Sequence, residues 1–287
     1  MANIVNQYGQ VKVGVRTQAV GGGVTHLLLD TYSGATAAYS LRKLRTAYTG
    51  YAIRVRRSSD NNSQDIGFKA DGTLDTTAML SFVGAGNGFV SVWYDQSGNG
   101  SNLIQSTAAE QMRIMRNGSL DILNGKPALT SNYNYASKGW YKATYASSIS
   151  NPATMFNIGS NSQSPGGLYL WDGLNTSMYA YSYTTNWLRI GGTAEFALQG
   201  YSQSINTQRI INAIYNGASS KIRINNGTYT TGNTGTATST GLTLGSAYSS
   251  NNYAVPAYYQ EHIIFPTNQE SNATNINTNI NSFYTIY

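Results

Sequence analysis

Residues 210–227 read IINAIYNGASSKIRINNG, and this stretch decides the fold class. Residues 210–215 and 221–224 are short runs of β-branched and aromatic side chains, the kind that fill a pleated, half-buried surface. Asn226–Gly227 follows the second run and is a strong hairpin signal, because both residues tolerate positive φ. The pattern extends outward in both directions. Short strand candidates lie at 103–105, 113–115, 128–130, 141–145, 153–158, 167–171, 177–183, 187–190, 242–245 and 261–265, separated by Gly- and Asn-rich turns. Many short strands of this kind predict a β-sandwich. The Thr/Gly-rich run at 228–241 reads as a wide surface loop or a ragged hairpin.

Composition agrees. Only 10% of the 287 residues are charged, against about 25% in an ordinary soluble domain. In place of the missing charge stand 30 Asn, 30 Gly and 23 Tyr. Long straight-chain helix formers are scarce, which argues against a helical bundle and a Rossmann-type enzyme. With no Cys and two His, the chain has no disulfide framework, thiolate zinc site or His-rich metal centre. The net charge of +6 is concentrated in Arg42, Lys43, Arg45, Arg54, Arg56 and Arg57, and the rest is too neutral to favour nucleic acid as a partner. No signal peptide or apolar membrane span is legible.

Three segments depart from the strand pattern. Residues 1–24 hold an alternating strand (Val11, Val13, Val15) and a Gly21–Gly23 joint, and read as an anchoring arm ahead of a sandwich over 25–287. Residues 35–47 are expected to form a short amphipathic helix, and Asp75 to cap another through Leu80 or Phe82. Ile276, Ile280, Phe283 and Tyr287 mark one face of a closing helix.

Candidate functional residues fall into four groups. Hydrolysis of a glycosidic bond needs two carboxyl groups. The acids in or beside strands are Asp95, Glu110, Asp121, Asp172, Glu195 and Glu261, with no recognisable spaced pair. Asp95, Ser97 and Gly98 in WYDQSGNG suit an Asx-type turn, with calcium held by Asp95, Asn99 and Asn102 as the alternative. Arg54, Arg56 and Arg57 lie near Asp60, Asp65, Asp71 and Asp75 and are expected to form internal ion pairs. Trp171, Asp172, Tyr179, Tyr181, Tyr183 and Trp187 crowd one interval and read as a glycan-contact surface, a subunit interface or core. Trp93 and Trp140 are expected to be buried.

Two stretches carry a family resemblance. LLLDTYSGATAAYSLRKLRTAYTGYAIRVRRSSDNNSQDIGF (27–68) and DGTLDTTAMLSFVGAGNGFVSVWYDQSGNG (71–100) resemble the catalytic-type domain of fungal α-L-arabinofuranosidase B and its relatives in phage and bacterial surface proteins. The segments from 209 onward resemble the closing strands of laminin-G/concanavalin A-like domains. The resemblance implies an all-β, concanavalin A-like jelly roll with a few short peripheral helices, and glycan binding or cleavage as its uses. It also implies a carboxylate pair and a vicinal disulfide, and this chain lacks the cysteines for the latter. Glu261 is the nearest match to the family's nucleophile, and no segment matches the one that supplies the general acid.

From these features the expected function is a phage virion structural protein: a capsid decoration, head fibre or tail-associated component located on the virion or another extracellular surface. It would display a lectin-like domain toward glycans, form a homotrimer and attach to other virion proteins through residues 1–24. No membrane partner and no catalytic residue are expected. A glycoside hydrolase resembling arabinofuranosidase, and an assembly protein that binds no sugar, are the alternatives.

Overall fold

The computed structural model describes residues 27–131, 139–161, 168–174, 178–184, 187–199, 204–248 and 256–287; the arm expected at 1–24 lies outside them. The chain is all-β, with two sheets facing each other across the main core. Ala257–Phe265 is central to the rear sheet. Ala37–Ser40 and Leu129–Thr130 pair along one of its edges, and Ala153–Asn161 pairs along the other. Arg209–Tyr215, Ser220–Ile224 and Thr230–Gly232 continue outward from there.

The front sheet runs, in spatial order, Ser63–Ile66, Ile53–Arg57, Gly88–Trp93, Leu103–Ile104, Tyr141–Ser150, Thr238–Leu244, Leu168–Gly173, Tyr179–Thr184, Trp187–Gly191 and Glu195–Gln199. The sheets nearly close on each other. On one side Arg113–Arg116 pairs with both Leu129–Thr130 and Gly88–Trp93. On the other, Phe196 lies over Gly232 so closely that a Cβ there would sit 2.2 Å from its ring.

Alternation along the Ala257–Phe265 strand divides the interior in two. Tyr259 and Ile264 enter the main core, with Met155, Trp171, Tyr215 and Leu244. Ile263 and Phe265 enter a second core with Phe156, Ile158, Leu28, Ile276, Ile280 and Tyr284. That second core lies beneath the helices Leu28–Thr31 and Ala273–Tyr284, so this strand is buried on both faces. Its register shifts at Gln260, opposite Gly159, where any Cβ would meet the Tyr258 carbonyl at 2.1 Å.

The Thr76–Val83 helix forms as expected, with Asp75 accepting from the Ala78 N–H at 3.0 Å. The closing helix also forms, although Tyr287 lies beyond its end and is half exposed. The helix expected at 35–47 does not form. Ala37–Ser40 is a strand: Ala37 and Tyr39 join the main core while Ala38 joins the other. Burial on both faces removes the polar alternation that normally marks a strand, which is why the segment reads as helical. The 228–241 run contributes Thr230–Gly232 and the start of Thr238–Leu244.

Glu261 is fully buried on the helix side. Arg42 Nε and Nη2 donate to its two oxygens at 2.8 and 3.1 Å, and Ser40 Oγ donates at 2.8 Å. The Arg42 guanidinium rests against the Phe283 and Tyr284 rings. Burial alone would lower its pKa, but Glu261 outweighs this and raises it. Removing one partner of such a pair strands the other charge in the interior. Glu261→Gln is expected to cost about 3–5 kcal/mol of stability, measured as a lower urea midpoint at unchanged slope.

Candidate active site

The site is built on the outer face of the front sheet. A register irregularity between Tyr169 and Trp171 resets the pleat of Leu168–Gly173 against Tyr179–Thr184. Trp171 then faces the interior, where its Nε1 donates to the Tyr215 hydroxyl at 3.1 Å and its ring stands 5.3 Å from His262. Asp172, the next residue, takes the opposite face by strand alternation.

Asp172 is 1% exposed. The Tyr248 N–H donates to Oδ2 at 2.9 Å, while Oδ1 has no hydrogen-bond partner among the described residues. Burial raises its pKa from 3.8 to about 6, against the opposing pull of the Tyr248 and Gly173 N–H groups. Burial thus keeps this carboxyl protonated to a higher pH than an exposed aspartate.

Glu195 lies on the same face. It accepts from the Tyr179 hydroxyl at 2.7 Å and is ion-paired to Arg189. Tyr179 bonds Glu195 and lies within the field of Asp172. Burial raises its pKa first, then the bond to Glu195, with the charges of Glu195 and Asp172 adding to the effect. Tyr169 packs against Tyr179 and Tyr181 at 5.6 and 4.8 Å between ring centres, and Arg189 lies 5.8 Å from the Trp187 ring centre. The face thus combines an uncommitted acid, a second carboxylate fixed by a phenol and a guanidinium, and aromatic surface. The Tyr183 side chain lies outside the described residues.

The aromatic interval therefore divides. Asp172, Tyr179, Tyr181 and Trp187 share the outer face, whereas Trp171 is core. Glu261 is elsewhere, sealed by Arg42 beneath the closing helix with no second acid facing it among the described residues, so it is not the nucleophile of a cleft. Asp95 accepts from the Ala38, Ser97 and Ser101 N–H groups and from Ser97 Oγ. Asn102 Oδ1 accepts from the Asp95 N–H, and Asn99 Nδ2 donates to the Ala35 and Thr36 carbonyls. These groups cross-link loops, and Gly98 has φ +98°.

Arg54 forks onto Asp65 with both bonds at 2.8 Å, and Arg57 pairs with Asp60. Arg56 instead donates to Gln111, Asn61 and the Ala108 carbonyl. Asp71 accepts from Thr73 and Asp75 caps its helix. Trp93 is buried, but Trp140 is only partly so. Among the described residues no group of three His, Asp or Glu could hold a metal, and no helix is long and apolar enough to cross a membrane.

Comparison with known proteins gives the first half of the chain a family context; Asp172, Tyr179 and Glu195 lie beyond the matched residues. Residues 30–171, just under half of the chain, match the family model described as alpha-L-arabinofuranosidase B, catalytic. Over 83 residues the chain is 40% identical to a probable alpha-L-arabinofuranosidase B of Aspergillus flavus and to alpha-L-arabinofuranosidase B of Aspergillus oryzae; the match covers 27% of this chain and 16% of each relative. A GH54 α-L-arabinofuranosidase soaked with a cyclic sulfate inhibitor superposes with a TM-score of 0.63 at 17% identity. An arabinofuranosidase complexed with arabinofuranosyl-α-1,2-xylobiose superposes at 0.60 and 15%. Each superposition covers 86% of this chain and 62% of the other.

The chain is thus similar in sequence and fold to the catalytic domain of a glycoside hydrolase, and spans under two thirds of those enzymes. This similarity corrects the expectation of a phage virion structural protein, whether capsid decoration, head fibre or tail component, and with it the virion location. A charge-poor, Asn- and Tyr-rich surface does not distinguish particle display from sugar chemistry, because both use uncharged polar and aromatic side chains.

Because its pKa is raised on folding, Asp172 favours the native state fully below about pH 4, and this contribution disappears as pH climbs to about 6. Asp172→Asn removes the ionisation but keeps an oxygen for the Tyr248 N–H. Thermal unfolding should show the variant equal to the parent near pH 4 and more stable above pH 6, by at most about 3 kcal/mol.

Proposed function

We propose that this chain is a glycoside hydrolase of the α-L-arabinofuranosidase type, built on a concanavalin A-like jelly roll, with Asp172 and Glu195 as its carboxyl pair. The observation that carries the reading is Asp172: a buried acid whose Oδ1 has no partner among the described residues, raised to about 6, on the same face as a second carboxylate. Acid and base assignments follow where two environments treat two carboxyls differently. Asp172 Oδ1 gives its proton to the departing glycosidic oxygen as the anomeric C–O bond breaks. Glu195 stabilises the positive charge that develops on the sugar, water adds to the anomeric carbon, and the proton which that water loses restores the acid form of Asp172. Tyr179 and Arg189 hold Glu195 in place, and the tyrosine faces supply stacking surface for the ring.

The fungal relatives support an arabinofuranoside as substrate, and 4-nitrophenyl α-L-arabinofuranoside is the direct probe. Release of arabinose from arabinofuranosyl-α-1,2-xylobiose, whose alcohol leaving group needs the proton, should be fastest below pH 6 and fall tenfold per pH unit above it as Asp172 loses its own. Asp172→Asn should lower kcat on the order of 10²–10⁴-fold while the protein still melts cooperatively. No hydrolysis by the parent across pH 4–7, or full activity in the variant, would refute this assignment.

A further inference from the structure

A second group of side chains shares the sheet face with Asp172 and takes no part in the reaction drawn above. Asp172, Thr243 and Lys142 are register partners on three adjacent strands, and Ile104 is the next partner after Lys142. Neighbouring strands lie about 4.8 Å apart, so Lys142 stands roughly 10 Å from Asp172 across the sheet. That is roughly the reach of adjoining units in an oligosaccharide.

The Lys142 ammonium lies 5.0 Å from the centre of the Trp140 ring and 4.9 Å from that of Tyr248. Two aromatic faces fix a long side chain that solvent would otherwise leave mobile. No carboxylate pairs with it among the described residues. Tyr248 also gives its main-chain N–H to Asp172, so this aromatic wall is fastened to the acid itself. Trp140 Nε1 and Thr243 Oγ1 are buried without hydrogen-bond partners among the described residues, as is Asp172 Oδ1. The fold leaves in one row a cation without a counter-ion, two ring faces and polar atoms with unspent capacity.

We propose that Trp140, Lys142 and Tyr248 form a substrate subsite next to Asp172 that binds a sugar unit carrying a carboxylate, a uronic acid. The rings stack on the C–H faces of the sugar, and the ammonium meets the carboxylate in a charge-assisted bond. The subsite rests on the hydrolase reading for its role, because it holds the unit beyond the bond that Asp172 protonates.

Calorimetry on the full chain with xylotriose bearing one glucuronic acid, and with plain xylotriose, tests it. The acidic sugar should bind about tenfold tighter, with the advantage shrinking in about 0.5 M salt. Lys142→Gln should abolish the difference between the two sugars, and Lys142→Arg should keep it. Trp140→Ala should weaken both. Equal binding of the two sugars by the parent, or an acidic preference that survives Lys142→Gln, overturns the subsite. Hydrolysis of 4-nitrophenyl α-L-arabinofuranoside, which has no carboxylate, is followed in parallel on the parent. Failure of the hydrolase reading therefore appears as lost turnover, and failure of the subsite as lost discrimination.

Discussion

Burial of the Ala257–Phe265 strand on both faces is the constraint around which the molecule is arranged. A strand with one wet face can leave its polar side chains to solvent, but this one cannot. Its polar groups must look for partners inside the protein, and among the described residues only the buried His262 Nε2 on this strand finds none. Glu261 is answered by Ser40 from the strand paired with it, by Arg42 just beyond that strand, and by Tyr284 from the helix laid over it. His262 faces the other way, where Asn157 bonds its Nδ1 and Trp171 packs on its ring; burial lowers its pKa to about 3, so it is neutral at physiological pH. The same two-sided burial separates structure from chemistry. The acid that looks most promising in sequence is spent on holding the helical layer, and the acid with a free oxygen lies across the core on the front sheet.

The face that carries Asp172 depends on the core through one irregularity. Trp171 and Asp172 are neighbours with opposite fates, and the register shift at Tyr169 sets which of them turns outward. Trp171 is held inward by Tyr215, whose own hydroxyl donates to the Tyr179 carbonyl at 2.9 Å. A short path therefore runs from the core aromatic, through Tyr215, to the main chain of the residue that holds Glu195. The site sits on paired strands rather than on loops alone, which favours precise placement of catalytic groups.

Local patterns were legible where local physics governs. The 210–215 and 221–224 runs became Arg209–Tyr215 and Ser220–Ile224, Asp75 capped its helix, and the fourfold spacing of Ile276 and Ile280 marked a true helical face. Ala37–Ser40 was misread because complete burial erases periodicity. The resemblance carried by residues 27–100 points to the arabinofuranosidases, whereas a charge-poor composition is common to particle surfaces and sugar-handling proteins and does not single out a virion role. Asp172 and Glu195 were visible as acids but not as a pair. Asp172 owes its raised pKa to burial, which the N–H of Tyr248, 76 positions away, only partly offsets, and no spacing rule reports such a contact. Lys142 carried no signal at all, since its aromatic neighbours converge only after the strands pair.

The near-closure of the two sheets has a consequence for solubility. Strand edges with free backbone groups invite other chains to add on, and a protein so poor in charge has little repulsion to prevent it. Here one front-sheet end is folded against the rear sheet, with Phe196 seated on Gly232, and on the other side Arg113–Arg116 bridges Leu129–Thr130 to Gly88–Trp93, leaving the short, polar Ser63–Ile66 strand as the outer one. Geometry thus does the work of the missing lysines and glutamates. A bulky side chain at Gly232 would prise that seam apart and expose two strand borders to intermolecular pairing.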